Sequence, residues 1–226
     1  MPQQLPFDLP AKPALGRGDF FVSPANALAV AMIDRAAGND GGKLVLSGPA
    51  GSGKTHLAHV WAGPAAARIV AARDLAGQDI ASLATGATVI EDAPEAAGDR
   101  AAEEALFHLH NLLLAGRQWL LVTGRGAPRD WGLVLPDLQS RLEAAPLAAL
   151  MAPDDALLSA VLAKLFADRQ ITPRPDLIPY LVTRIDRSFA AAANMVAALD
   201  RAALASGRPV GRALAVQLLG ARPSGS

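Results

Sequence analysis

Apolar positions along the chain follow two different rhythms, and the switches between them outline the elements. Residues 43–47, 68–71, 87–92 and 119–123 are short runs that are apolar almost throughout, as expected of strands covered on both faces, and 145–151 reads as a last strand. Between these runs the spacing becomes helical. Ala27, Leu28, Ala31 and Met32 predict a helix with Ser23 as N-cap and Pro24 at its first position, ending at Gly38. Leu57, Val60 and Trp61 predict a helix over 55–61. Ala105, Leu106, Leu109, Leu112 and Leu113 form one face of a helix over 99–115, with Arg100, Glu103, Glu104 and His108 placed elsewhere on it. Strands alternating with helices predict an α/β fold whose parallel sheet is covered by helices. Beyond Pro153 the pattern is helical only, over 154–169, 176–185, 188–206 and 210–219. Leu157, Leu158, Val161, Leu162, Leu165 and Phe166 make one stripe of the first of these, and Gly207 stops the third. The expected organisation is a flexible tail over 1–22, an α/β core over 23–152 and a small all-α unit over 153–226.

The run Gly48-Pro49-Ala50-Gly51-Ser52-Gly53-Lys54-Thr55 fits G-x-x-x-x-G-K-[ST], a phosphate-binding loop, and it falls between a predicted strand and a predicted helix. Its glycines let backbone N–H groups turn inward around a phosphate, Lys54 supplies charge to the β and γ oxygens, and the Thr55 hydroxyl is a Mg²⁺ ligand. His56 continues the same loop. The strand over 87–92 ends in Glu91-Asp92, two carboxylates where a metal and an attacking water are managed. The usual order is Asp before Glu, so the metal-side group Glu91 is a methylene longer here and the water-side Asp92 a methylene shorter. A misplacement of about 1 Å costs on the order of 100-fold in rate, so nucleotide binding is expected to survive and fast hydrolysis is not. Thr123 ends a strand where a polar group can sense a γ-phosphate. The helix after Leu135 carries Arg141 near its end, which taken alone reads as a surface charge favoured by the helix dipole. The helix over 23–38, with Phe20, Phe21 and Val22, is placed to cover one side of a base.

Composition narrows the setting. The chain has 226 residues, 51% of them hydrophobic, enough for a substantial core, and no apolar run long enough to cross a bilayer. Neither a membrane association nor a secretory leader is expected, and the predicted location is cytoplasmic. Absence of cysteine excludes disulfides and thiolate chemistry. Twenty-one basic residues balance twenty-one acidic ones, so direct, nonspecific DNA binding is not expected. His56 and His59 stand three apart on a helix without an accompanying carboxylate cluster and are read as packing or surface residues. The tail holds Gln4-Leu5-Pro6-Phe7-Asp8-Leu9, whose alternating Leu5, Phe7 and Leu9 suit an extended peptide anchored in pockets or a segment folded back on the core.

Taken together these segments resemble the AAA+ ATPases of the bacterial initiator DnaA group. GPAGSGKTHL resembles the Walker A loop, 87–92 the Walker B strand, WLLVTGRGAPRDW the sensor 1 region, LPDLQSRL box VII and RIDRSFAAAANMVAALDRAAL the sensor 2 helix. QLPFDL resembles a clamp-binding hexapeptide. The resemblance implies a P-loop AAA+ core followed by an all-α lid, ADP or ATP with Mg²⁺ as cofactor, and weak intrinsic hydrolysis. It implies that Gln4, Leu5, Phe7 and Leu9 enter the DNA polymerase sliding clamp, so that DNA is reached mainly through the clamp. It further implies that Arg141 is an arginine finger acting in trans on DnaA. Three positions depart from the family pattern: Arg125 stands where an acidic residue is usual, Glu91-Asp92 reverses the usual order, and Ala190 stands at the sensor 2 arginine. A helicase-loader-like ATPase and a self-sufficient small-molecule kinase remain open alternatives, as does a homodimer.

Overall fold

Five strands, β1 (Gly42–Ser47), β2 (Arg68–Ala71), β3 (Thr88–Glu91), β4 (Trp119–Gly124) and β5 (Leu147–Ala149), pair in the order β2-β3-β4-β1-β5. Every pairing is parallel. The computed structural model describes residues 21–37 and 41–220. The tail residues Gln4, Leu5, Phe7, Leu9 and Phe20, and the predicted helix stop at Gly38, lie outside the described residues. Register explains the apolar runs. Leu44, Val45 and Leu46 face Leu121, Val122 and Thr123 across the central pair, and all six are buried. Alternate residues then feed two layers. Leu44, Leu46, Val89 and Leu121 pack with α1 (Ala27–Ala37) and α2 (Lys54–Ala65). Val45, Ile90, Leu120 and Val122 pack with α4 (Arg100–Ala115) and α5 (Pro136–Glu143).

A third cluster lies beyond the sheet, built by α6 (Asp155–Asp168), α7 (Leu177–Val182), α8 (Phe189–Ser206) and α9 (Arg212–Gly220) around Leu158, Leu162, Phe166, Leu181, Met195 and Leu199. Caps set these helices. The Asp154 carboxylate accepts from the Leu157 N–H, the Ser188 hydroxyl accepts from the Ala191 N–H, and Gly207 ends α8 at φ 64°. The region after β2, left without a pattern in the sequence, forms a 3-10 turn over Ala72–Gly77 and the single-turn α3 (Ile80–Leu83), capped by the Asp79 side chain.

Two sequence expectations are corrected. The first helix starts at Ala27, not Pro24. The Ser23 hydroxyl accepts from the Ala25 N–H while Asn26 Oδ1 accepts from the Ser23 N–H, closing a local turn ahead of the helix. On α4, Leu112 is 45% exposed, whereas Glu103 and His110 are fully buried. Glu103, Leu106, His110 and Leu113 recur at i, i+3, i+7 and i+10, so helical geometry puts both polar residues on the core stripe.

Glu103 earns that position by accepting three backbone N–H groups. Its Oε1 accepts from Gly98 and Val134 at 3.0 Å each, and its Oε2 from Val134 at 2.9 Å and Leu135 at 2.7 Å. The carboxylate thereby fixes the residues that lead into α5. Glu103→Ala leaves those donors unmet and is expected to cost about 3 kcal/mol, read as a lower urea midpoint, with Glu103→Gln intermediate because an amide has one acceptor oxygen. His110 lies 3.5 Å from Lys43 Nζ. Burial lowers its pKa below the ordinary 6.5, Asn111 opposes this, and Lys43 and Arg141 add to it. Below 6.5 the unfolded chain therefore takes up a proton that the folded imidazole resists, and stability falls with pH. His110→Gln is expected to shrink the difference in urea midpoint between about pH 5 and about pH 7; an unchanged difference would show that the buried imidazole does not contribute to acid sensitivity.

Candidate functional site

The loop between β1 and α2 is held from both sides. On the sheet side, the Gly48 N–H donates to the Gly124 carbonyl at 3.3 Å, and the Ser47 hydroxyl donates to the Gly126 carbonyl at 2.6 Å. The start of the loop is thus tied to the end of β4. Gly51 and Gly53 take left-handed φ values of 71° and 93°, which side chains rarely adopt, and Gly53 is the N-cap of α2. The first N–H groups of α2 and its positive dipole end consequently face outward over the loop. Lys54 is buried, and its Nζ donates to the Gly48 and Pro49 carbonyls at 2.9 Å each.

Above the loop opens a cleft of about 510 Å³ lined by Ala50, Gly51, Gly53, Lys54, Thr55, His56, His59, Asp92, Arg125 and Phe189. Of the two Walker B carboxylates it is Asp92 that lines this cleft. Asp92 sits at φ 49°, its N–H donating to the Thr123 hydroxyl at 3.0 Å, so the Thr123 side chain orients the carboxylate's backbone. Glu91 closes β3, and its Oε1 is buried with no hydrogen-bond partner among the described residues. His59, read from sequence as a packing or surface residue, also lines the cleft. Phe21 and Val22 are exposed and do not line it.

Electrostatics converge on Lys54. Burial lowers its pKa from the ordinary value; Asp92 pulls it back up and Arg125 pushes it further down. Arg125 therefore shares the lysine's field across the cleft. It extends from a rigid turn, because Trp131 Nε1 donates to the Arg125 carbonyl at 2.9 Å, and the indole fills the space a Gly124 Cβ would need.

From the other side α8 docks on the loop itself. The Phe189 N–H donates to the Gly51 carbonyl at 2.9 Å. A Cβ on Gly51 would lie 2.5 Å from Ser188 Cβ, and one on Gly53 would lie 2.5 Å from the Phe189 ring. The second and third motif glycines thus serve packing as well as curvature. Ala190 is exposed and brings no charge. Arg187 pairs with Asp155 at 2.7 Å, and Arg184 stacks on Tyr180 at 4.1 Å; neither lines the cleft.

Arg141 is elsewhere. It is exposed in the last turn of α5, its guanidinium 5.2 Å from the Phe107 ring centroid, and its carbonyl accepts from Lys43 Nζ at 2.7 Å. Lys43 stands at the amino end of β1, on the order of 15 Å along the strand from Gly48. Sequence reasoning missed Trp131 and Phe189, which reach the loop only through tertiary contact; an indole soon after a strand's terminal glycine was the available signal for the former.

The donor set fits a nucleoside polyphosphate. A glycine cradle, a helix N-terminus and two cations against one carboxylate favour an anion, and Ser52 Oγ and Glu91 Oε1 are buried polar atoms lacking partners among the described residues.

No family model matches the chain. It is 25% identical over 185 residues to the chromosomal replication initiator protein DnaA of Cutibacterium acnes, covering 73% of this chain and 37% of that protein, so it spans just over a third of the initiator's length. Domain III of the Thermotoga maritima initiator DnaA superposes with a TM-score of 0.82 at 18% identity, covering 94% of this chain and 98% of that one. AMPPCP-bound DnaA from Aquifex aeolicus gives 0.71 at 17%, covering 87% and 67%. With its phosphate loop, its β2-β3-β4-β1-β5 parallel sheet and these likenesses, the chain has the AAA+ P-loop fold and is similar to domain III of DnaA.

Proposed function

We propose that this protein is a nucleotide-binding regulator of replication initiation of the type known as Hda, which acts on DnaA. In this reading it binds ADP or ATP with Mg²⁺ in its own cleft, attaches to the DNA-loaded sliding clamp through Gln4, Leu5, Phe7 and Leu9, and supplies Arg141 to the ATP held by DnaA. The observation that carries the reading is the position of Arg141. It is exposed, it lies at the opposite end of β1 from the phosphate loop, and it is excluded from its own cleft. An arginine so placed serves a neighbour's nucleotide or none.

Gly48 to Gly53 and the α2 N-terminus would hold the phosphates, Lys54 would exchange its loop carbonyls for phosphate oxygens, and Thr55 with Glu91 would hold Mg²⁺. Bound Mg²⁺ supplies charge neutralisation of the β and γ phosphates. Asp92, oriented through Thr123, is the carboxylate available to an attacking water in the chain's own site. Its short side chain and the uncharged Ala190 support slow intrinsic turnover. The chemistry contributed to DnaA is different in kind. A planar guanidinium spreads its positive charge over the departing γ-phosphoryl oxygens and is worth about 10³ to 10⁵ in rate when offered in trans. Leaving the Phe107 ring costs only about 0.5–1 kcal/mol at an exposed site, so the side chain is free to reach across an interface. The AMPPCP bound to the Aquifex protein supports adenine nucleotide as ligand. Among the described residues no helix is long and apolar enough to cross a membrane.

The test is single-turnover hydrolysis of ATP preloaded on DnaA, with the protein and clamp on DNA in excess. Arg141→Ala is expected to abolish the stimulation while leaving the urea midpoint and nucleotide affinity unchanged, and Arg141→Lys to recover little because an ammonium lacks the fork. Full stimulation by Arg141→Ala removes the finger from this residue. Clamp attachment is tested separately: replacing Leu5 and Phe7 by Ala is expected to abolish capture by immobilised clamp with ADP binding intact, and equal capture before and after refutes the assignment of the hexapeptide.

A further inference from the structure

We propose that Arg125 is a ligand for the terminal phosphate of the nucleotide bound by its own chain, a charge provided by the core in place of one from the lid. This rests on the nucleotide reading above and adds to it the group that reads the phosphate chain length.

Three observations converge. First, Arg125 lines the same cleft as Lys54, Thr55 and Asp92, and its charge acts on the Lys54 ammonium. Two cations that repel each other across a cleft are held there by the fold and not by mutual attraction. An anion between them relieves the repulsion, and Asp92, the one carboxylate lining the cleft among the described residues, offsets only one of the two. Among the described residues the Arg125 guanidinium has no hydrogen-bond or ion-pair partner, so its donors are available to a ligand.

Second, the backbone that carries it is fixed. The turn 124–126 receives the Trp131 indole at the Arg125 carbonyl (2.9 Å) and at the Gly126 carbonyl (3.3 Å). The Ser47 hydroxyl reaches Gly126, and the Gly48 N–H reaches the Gly124 carbonyl. Arg125 is therefore mounted on the residues that mount the phosphate loop, and the two sides of the cleft keep their spacing. A flexible side chain on a rigid base is the arrangement that lets a charge follow one phosphate without deforming the loop.

Third, the lid has vacated the role. Ala190 is uncharged, Arg187 is engaged by Asp155, Arg184 lies on Tyr180, and the residue α8 presents to the cleft is Phe189. Position 125 follows the strand end whose Thr123 hydroxyl accepts from the Asp92 N–H, and both Arg125 and Asp92 line the cleft. In the nucleotide reading above Asp92 faces the water that attacks the outermost phosphate, so a charge mounted beside it is assigned to that phosphate.

Arg125 has been placed in its own cleft by these contacts, which separates it from Arg141 at the far end of the sheet. The experiment is calorimetric titration of the full chain with ADP and with the non-hydrolysable AMPPCP in Mg²⁺ at one fixed salt concentration. Arg125→Ala is expected to weaken AMPPCP by about tenfold or more and ADP much less, Arg125→Lys to restore part of the AMPPCP affinity, and Lys54→Ala to lose both ligands. The urea midpoint of the ligand-free Arg125→Ala protein should match wild type, since an exposed arginine without a partner contributes little to folding. Wild-type protein that binds neither nucleotide removes the nucleotide reading and this inference with it. Nucleotide binding by wild type with unchanged AMPPCP affinity in Arg125→Ala, or an equal loss for ADP and AMPPCP, overturns this inference alone. Unchanged affinities accompanied by lost stimulation of DnaA hydrolysis would assign Arg125 to the partner's nucleotide and likewise overturn it.

Discussion

The hydrogen bond from the Phe189 N–H to the Gly51 carbonyl makes the shape of the phosphate loop and the position of the lid one variable. Neither side can move alone. Gly51 and Gly53 hold left-handed conformations that a side chain would strain, and at both positions the missing Cβ is the space taken by Ser188 and Phe189. The motif glycines are usually explained by phosphate access; here the same absence of side chains also seats the first turn of α8. The same helix continues into the third cluster through the buried stripe of Ala192, Met195, Val196 and Leu199, so the loop and that cluster share one packed element.

Against that coupled element stands a second one that does not move with it. The turn after β4 is bonded to β1 and to the first loop residue through Ser47, Gly48 and Trp131. The cleft therefore has one wall that follows the lid and one that follows the sheet. Charge is distributed accordingly. The side facing α8 is apolar, with Phe189, while the sheet wall carries Asp92 and Arg125. Electrostatic attraction for phosphate is thus invested in the part whose geometry is fixed, where pre-organisation makes it most effective.

Much of the sheet was legible in the sequence because parallel strands covered on both faces are apolar at every position, and a run such as Leu44-Val45-Leu46 has few other uses. The phosphate loop was legible for a different reason: its chemistry is contiguous, so spacing alone identifies it. What sequence could not supply was contact at a distance. Arg125 was noted only as a departure from a family pattern and Phe189 lay inside a predicted helix; the pairing of β1 with β4 brings the first to Lys54, and the docking of α8 on Gly51 brings the second. The misreading of α4 has another cause. Glu103 was placed off the apolar face although its spacing puts it, with His110, on the core stripe, and the compensation that permits their burial, three N–H groups from residues 98, 134 and 135 for Glu103 and the Lys43 contact for His110, comes from tertiary structure. The Glu91-Asp92 pair was legible as to type and not as to aim. Asp92 reaches the cleft by itself taking a left-handed φ of 49°, which Asp tolerates better than most side chains but which no local pattern announces.

The two ends of the sheet thereby acquire separate electrostatic tasks. At the carboxyl end, Lys54 and Arg125 face a cleft in which one carboxylate leaves them under-neutralised. At the amino end, Lys43 holds the Arg141 carbonyl and approaches His110, and the Arg141 guanidinium rests on Phe107. β1 joins the two, carrying Lys43 at its start and running into the phosphate loop at its finish. Residues 42–47 form an interior strand, bonded to β4 along its length and to β5 over residues 45–47, so they transmit little motion. A nucleotide binding at one end therefore has no soft path through the strand to the arginine at the other. If occupancy of the cleft governs how Arg141 meets a partner, the message must travel with the lid, whose helix touches the loop, and alter the surface against which that partner docks.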